Sequence, residues 1–332
     1  TTSPAPVIPP SPTPLPKPGL KTVGYITHWQ VPLLKYVKLE QLTHLIWQSV
    51  LVTSATDPTL QVADNYPWSQ ISEVIAIARP LGIKVLACLG GPWGDSTLNA
   101  VWESPALRAR LVDNLKDLVV KYDLDGIDID NEGHPTPELY STFVAELYAA
   151  LNPLGKIISM AGSPFSVNIL PATAEYVDFI SLMTYDMGRM PNYEHSTYED
   201  SVQAMSLWSN TGISKKKLLM GIPFYARDAG TGFFYYRWIV ELYDPGPEQN
   251  QAMEPLVTGG KIWWNGIDLV KKKVGYVIDS GYGGIMVYEI TTDTFDARSL
   301  LQTIYDELQR VPPAAKTAGR TPIPELLPPP EA

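Results

Sequence analysis

Residues 123–132 read Asp-Leu-Asp-Gly-Ile-Asp-Ile-Asp-Asn-Glu, so Asp128, Asp130 and Glu132 alternate with Ile127, Ile129 and Asn131. Side chains on a strand alternate between its two faces, so the three carboxylates point one way and the isoleucines the other. Three acids on one face repel one another, and burial adds the cost of stripping water from charge. Such a set persists where a proton is shared and a site uses it. The outermost acid, Glu132, is then expected to have a raised pKa and to act as a general acid near neutral pH. Two plainer readings compete. Placing Glu132 at the last position of a calcium-binding loop puts Asp123, Asp125 and Gly126 in register, but Lys121 then stands where the first ligand belongs. A solvated acidic turn would not carry isoleucine at alternate positions.

A strand that presents acids needs neighbours to hold it. Short apolar runs read as strands at Thr22–Ile26, His44–Val52, Lys84–Leu89, Gly126–Asp130, Ile157–Ala161, Val177–Met183, Leu218–Ile222 and Gly284–Tyr288. Their continuous apolar character suits parallel strands covered on both faces. Helical patterns lie between them at Gln70–Arg79, Pro105–Lys121 and Pro137–Leu151. In the last, Thr136 caps, Pro137 fits the first turn, and Leu139, Phe143, Val144, Leu147 and Leu151 form one stripe. Eight β–α units predict an α/β (β/α)8 TIM barrel, with a doubly wound open sheet as the competitor. The GxGxxG turn of the dinucleotide-binding version is missing after the first strand. Barrel chemistry sits at the C-terminal strand ends, which is where the acids fall.

Composition narrows the partners. Lys plus Arg is 25 against 35 Asp plus Glu, a formal charge of −10, so no basic stripe for nucleic acid is available. No apolar run reaches the roughly 18 residues of a membrane span. Cys88 is the only cysteine, which excludes an intrachain disulfide and a cysteine-based zinc cluster. His28, His44, His134 and His195 are widely spaced, with no metal-ligand motif, and no cofactor is signalled. Of 31 prolines, 8 lie in residues 1–19 and 7 in 311–332. Both segments read as polyproline-like linkers around a domain of residues 20–310, the competing reading being loose termini. The expectation is a monomeric module of a larger multidomain chain. No signal peptide is visible, and the sequence starts with Thr.

Asp125-Gly-Ile-Asp-Ile-Asp-Asn-Glu132 resembles the DGxDxDxE signature of glycoside hydrolase family 18, the chitinase-like family. Other segments agree in family order: Val23-Gly-Tyr25, Leu42-Thr-His44, Cys88-Leu-Gly-Gly91, Met183-Thr-Tyr-Asp186, Gly221-Ile-Pro-Phe-Tyr-Ala-Arg227 and Gly283-Gly-Ile-Met286. The resemblance covers about Lys21 to Leu308. It implies cleavage of β-1,4 bonds beside N-acetylglucosamine by a retaining route in which the sugar's own acetamido oxygen attacks, without cofactor or metal. By motif position it implies that Glu132 protonates the leaving oxygen and later activates water. Asp130 would orient the acetamido group, Asp128 would share a proton with Asp130, and Tyr185 would hydrogen-bond the acetamido group. Tyr25, Met183, Asp186, Tyr225, Arg227 and Tyr288 would line the sugar site.

The chain departs from the family pattern at three places. Cys88 stands for the usual Ser of SxGG, Tyr288 for a usual Trp, and Ala226 for a common Gly. Cys88 reads as a buried small residue rather than a nucleophile. About 40 residues separate Arg227 from the helix near Ile267 and carry many aromatics, a short insertion between the seventh and eighth barrel strands read as a hairpin. Trp93, Trp263 and Trp264 are candidates for stacking sugars, with burial in the core as the competing role. The function expected is chitin or chito-oligosaccharide hydrolysis. N-glycan endo-β-N-acetylglucosaminidase and peptidoglycan hydrolase are the enzymatic alternatives, and a chitin-binding lectin is the non-enzymatic one. A polymeric substrate and linker-like ends imply secretion.

Overall fold

The computed structural model describes residues 19–310 apart from 92–94, 134, 189–192 and 231. The two proline-rich segments and Trp93 therefore lie outside the described residues.

In chain order the strands are β1 (Lys21–Thr27), β2 (His44–Ser54), β3 (Asp57–Val62), β4 (Lys84–Gly90), β5 (Gly126–Asp130), β6 (Ile157–Gly162) and β7 (Phe179–Leu182). They continue as β8 (Leu218–Pro223), β9 (Tyr225–Arg227), β10 (Phe233–Tyr235), β11 (Gln251–Met253), β12 (Lys261–Trp263) and β13 (Gly284–Tyr288). Strands β1, β2, β4, β5, β6, β7, β8 and β13 pair in parallel in that order, and β13 pairs back onto β1. The sheet is thus a closed eight-stranded parallel barrel, as the alternation of strands and helices predicts. The α-helices are α1 (Ser69–Ala78), α2 (Asp95–Glu103), α3 (Pro105–Tyr122), α4 (Pro137–Leu151), α5 (Tyr198–Ser209), α6 (Tyr236–Tyr243), α7 (Ile267–Asp279) and α8 (Leu300–Leu308).

The barrel departs from eight regular β–α units. The β1–β2 and β6–β7 connections carry 3₁₀ turns, His28–Tyr36 and Pro171–Tyr176, instead of α-helices. Pro32 lies inside the first and Pro171 opens the second, and a proline inside a helix removes a donor. Strand β2 runs on to Ser54 and folds back through antiparallel β3. The aromatic-rich insertion is more than a hairpin: β9 to β12 make a four-stranded antiparallel sheet in the order β10-β9-β12-β11, with α6 between β10 and β11. Its strands are three residues long, too short for a clear period-2 pattern.

Two apolar cores follow from the alternation along the strands. Ile127 and Ile129 of β5 face the larger core between barrel and helices, with Tyr140, Phe143, Val144, Leu147 and Leu151 of α4. The cap and proline at the start of α4 are as the sequence predicts, and Thr136 accepts from the Leu139 amide. The barrel interior is a second cluster that includes Tyr25, Cys88, Tyr185, Tyr225 and Met286. Tyr140 ties the layers together by donating its hydroxyl to the Ile129 carbonyl at 3.3 Å.

Candidate active site

Strand β5 buries Asp128 completely and leaves Asp130 only 4% exposed. Glu132 lies two residues beyond the strand end, at the lip. The chain around the acids is held by Gly90 and Gly91, both with positive φ (103° and 95°). A Cβ on Gly90 would stand 2.2 Å from the Asp130 carbonyl, and the Gly91 amide donates to that carbonyl at 2.7 Å. Only glycine admits both the close approach and the backbone conformation.

Asp128 accepts from the Tyr25 hydroxyl at 2.7 Å and from the Ser159 hydroxyl at 2.5 Å. Burial nonetheless pushes its pKa up to about 6, against the pull of hydrogen bonds from Ser159, Tyr25 and Cys88. Cys88 lies directly across the β4–β5 ladder from Asp128 and is fully buried. Burial and the charges of Asp130 and Asp128 push its thiol pKa far up. The thiol is therefore a weak donor to Asp128 and not a nucleophile, as its residue type and solitude imply. Ser159, on the neighbouring strand, supplies the hydroxyl that Cys88 lacks.

Tyr185 follows β7 in the turn Met183-Thr184-Tyr185. Thr184 fixes this turn by donating to the Gly221 carbonyl at 2.6 Å. Burial, then the charge of Asp130, keeps the Tyr185 hydroxyl protonated well above its ordinary range. That hydroxyl donates to Met286 Sδ at 3.9 Å, and Tyr185 borders the same cavity as Asp130 and Glu132. Next in sequence, Asp186 adopts a left-handed backbone (φ 55°), an uncommon choice for a residue with a side chain. Its carboxylate accepts from Arg227 Nε at 2.9 Å and Nη2 at 2.7 Å. His195 Nδ1 lies 3.1 Å from the same carboxylate. Burial pushes the Asp186 pKa up, but the hydrogen bonds from His195 and Arg227 outweigh it and hold the carboxyl well below the usual range. Arg227 in turn rests over the Tyr225 and Phe233 rings, 5.3 and 5.2 Å from their centroids.

These side chains line one cavity of about 480 Å³: Tyr25, Asp130, Glu132, Met183, Tyr185, Asp186, Tyr225, Arg227 and Tyr288 all border it. That is within the size range of small-molecule sites, roughly 300–1,000 Å³. Of the site residues predicted from the sequence and placed in the structure, all but three lie on it: Asp128 sits beneath, in contact with Tyr25, and the stacking candidates Trp263 and Trp264 lie elsewhere. Sequence reasoning missed Trp29, Gln30, Gln48, Phe233, Tyr235, Glu289 and Thr292, which also line it. The only signals were a tryptophan two residues beyond the first strand and one amide inside the apolar run of the second. Trp263 and Trp264 are 4% and 2% exposed and border a separate cavity, also about 480 Å³, with residues of the 194–199 and 248–251 segments. None of the three acids reaches that cavity, so these tryptophans do not stack at the acid site. Among the described residues no cluster of three or more His, Cys, Asp or Glu could hold a metal ion.

The chain belongs to glycosyl hydrolases family 18, whose model matches residues 21–293. The chain is 26% identical over 356 residues to a probable chitinase 10 of Drosophila melanogaster, covering 83% of this chain and 15% of that protein. It is 24% identical over 277 residues to a probable endochitinase of Caenorhabditis elegans, covering 65% of this chain and 45% of that protein. The chain thus spans less than half the length of either relative. Its fold matches the family 18 chitinase ChiB from the chitin utilization locus of Flavobacterium johnsoniae with a TM-score of 0.77 at 23% identity, covering 89% of this chain and 95% of that one.

Proposed function

We propose that this chain is a retaining glycoside hydrolase that cleaves β-1,4 linkages in N-acetylglucosamine polymers, chitin or chito-oligosaccharides, by substrate-assisted catalysis. The observation that carries this reading is the shared cavity of Asp130, Glu132 and Tyr185. It provides a proton donor at the lip, a buried carboxylate and a neutral hydroxyl donor around one sugar-sized space. In this reading Glu132 gives its proton to the glycosidic oxygen as the bond to the anomeric carbon breaks. The acetamido oxygen of the same sugar attacks that carbon and an oxazolinium ion forms. Asp130 accepts the acetamido N–H and balances the developing charge, and Tyr185 donates to the acetamido oxygen. Water deprotonated by Glu132 then opens the ring from the opposite face, which restores the original anomeric configuration. Asp128 holds the exchangeable proton beneath. Aromatic faces at Trp29, Tyr235 and Tyr288 offer stacking area for sugar rings.

The names of the two relatives and of the similar structure support chitin as the polymer, and retention of Glu132 favours an enzyme over a lectin. The same reading takes residues 20–310 as a catalytic module, monomeric and acting outside the cell, with residues 1–19 and 311–332 as linkers. Among the described residues no helix is long and apolar enough to cross a membrane. The test is to incubate the protein in parallel with N-acetylchitohexaose, a high-mannose glycopeptide and peptidoglycan. Chito-oligosaccharide products whose new reducing ends are β before mutarotation, seen by NMR, are expected. Products from the glycopeptide alone, or α ends first, would overturn it, and tight binding without any product would make the chain a lectin.

A further inference from the structure

Gln48, on β2, is 2% exposed and its side chain reaches into the acid cavity. Its Nε2 lies 3.4 Å from Asp130 Oδ2. Its Oε1 accepts from the Tyr288 hydroxyl at 3.1 Å. The two ends of an amide have nearly the same shape and opposite hydrogen-bonding character. An ionised carboxylate only accepts, so the nitrogen end must face Asp130, which leaves the oxygen for a donor. Burial and the charge of Glu289 keep the Tyr288 hydroxyl protonated, so it supplies that donor. Gly91 makes room for the pair: a Cβ there would stand 3.0 Å from Gln48 Nε2 and 3.8 Å from Asp130 Oδ2. Tyr288 comes from β13 and Gln48 from β2, so the bridge crosses the barrel mouth from one side of β1 to the other.

We infer that Gln48 is a positioning residue of the reaction: its amide, oriented by the Tyr288 hydroxyl, aims the Asp130 carboxylate at the substrate. This rests on the hydrolytic reading above. Asp130 must accept from the sugar's acetamido N–H in the transition state, so a rotated carboxylate slows turnover more than it weakens binding. The tyrosine at 288 then has a use beyond its ring face, because its hydroxyl sets which end of the amide Asp130 meets.

The test is steady-state kinetics of the full chain on an aryl glycoside of N-acetylchitobiose, from about pH 4 to 8. Losing one hydrogen bond to a charged group is worth about tenfold or more, so Gln48→Leu should lower kcat about tenfold with KM little changed. Tyr288→Phe should lower kcat less, and the double variant should be no slower than Gln48→Leu alone. Gln48→Glu is nearly isosteric. While protonated it still donates to Asp130, and once ionised it repels it. Its kcat relative to wild type should therefore be highest at the acid end and fall as pH rises. A Gln48→Glu ratio that is flat with pH, additive Gln48→Leu and Tyr288→Phe losses, or KM and kcat effects in parallel would each overturn the inference. Should Gln48→Leu fail to fold by circular dichroism, the pH ratio of Gln48→Glu decides alone. Wild-type protein inert on every N-acetylglucosamine substrate would instead defeat the hydrolytic reading, and this inference with it.

Discussion

Asp186 and Arg227 form a bidentate pair, with 2.9 and 2.7 Å contacts, at the edge of the acid cavity. The pair joins two strand ends that are distant in sequence. Asp186 follows β7, and Arg227 closes β9 with its guanidinium seated on Tyr225 and Phe233. Two parallel hydrogen bonds and a ring platform fix the guanidinium plane, which an ammonium cannot reproduce. Arg227→Lys is therefore expected to raise KM for chito-oligosaccharides by about tenfold, since one point charge replaces a planar fork. Initial-rate kinetics check this. An unchanged KM would show that the pair is scaffolding only.

His195 supports the same carboxylate from behind. Its imidazole is buried, and burial pushes its pKa down despite Asp186. In the tautomer with its proton on Nδ1 the neutral ring donates to the Asp186 carboxylate 3.1 Å away, while the Asp186 amide lies 3.4 Å from the same nitrogen. His195→Asn keeps a donor of shorter reach, and His195→Leu keeps none. KM is expected to rise in the order wild type, Asn, Leu, with kcat changed less than KM. Equal effects of both variants on KM would reject the donor role.

Glu132→Gln should abolish turnover, by at least about a hundredfold, because general acid–base catalysis contributes roughly 10²–10⁴. Binding should survive, since the amide keeps the side chain's size at the cavity lip. Isothermal titration with N-acetylchitotetraose measures the second half of the prediction. Turnover at the wild-type rate would remove Glu132 from the mechanism.

Much of this site was legible because its chemistry sits on a regular element. The alternation around Asp128 and Asp130 is a property of any strand, and the isoleucines between them mark the face that packs on α4. What stayed hidden came from elsewhere. Gln48 lies in a run that reads as plain apolar strand, and its partners are 82 and 240 residues away in sequence. Ser159 compensates for Cys88 from the next strand, a contact fixed by the Asp128–Ser159 register. Trp263 and Trp264 look like sugar platforms by residue type, yet the small sheet of β9 to β12 turns them into the protein. The sheet itself was missed because three-residue strands carry too few positions to show a period.

Asp128 makes a pH-dependent contribution to stability. Its folded pKa is raised from 3.8 to about 6 by burial. A raised carboxyl favours the folded state below the unfolded pKa, and that contribution is lost as pH climbs through the folded value. The window is therefore about pH 4 to 6, and the difference corresponds to about 3 kcal/mol at most. Asp128→Asn removes the ionisation and keeps hydrogen-bonding partners for Tyr25 and Ser159. Relative to wild type, the variant's Tm should be lowest near pH 4 and improve toward pH 7. Calorimetric melts across that range test it, and a pH-independent difference would mean that Asp128 stays ionised throughout.

Lys273 gives the opposite sign in another window. It is fully buried on α7, with Nζ 2.9 Å from the Ser196 carbonyl, 2.7 Å from the Ser196 hydroxyl and 2.7 Å from Asn265 Oδ1. Burial pushes its pKa down to about 7. A depressed lysine burdens the folded state most at low pH, and the burden lifts between the folded and the unfolded pKa, about 7 to 10.4. Lys273→Met removes that titration and takes one buried donor from the Ser196 carbonyl, the Ser196 hydroxyl and Asn265 Oδ1, although Asn265 Nδ2 still donates to the Ser196 carbonyl at 3.0 Å and the Ser196 hydroxyl to the Thr184 carbonyl at 2.7 Å. The variant is expected to be less stable than wild type at pH 9, with the gap narrowing by up to about 1.4 kcal/mol for each pH unit on going down toward pH 7. Because Ser196 adjoins His195, KM should rise with the loss of stability. Urea melts at pH 7, 8 and 9 measure the slope, and a gap that does not change over that range would show that Lys273 stays charged in the folded protein.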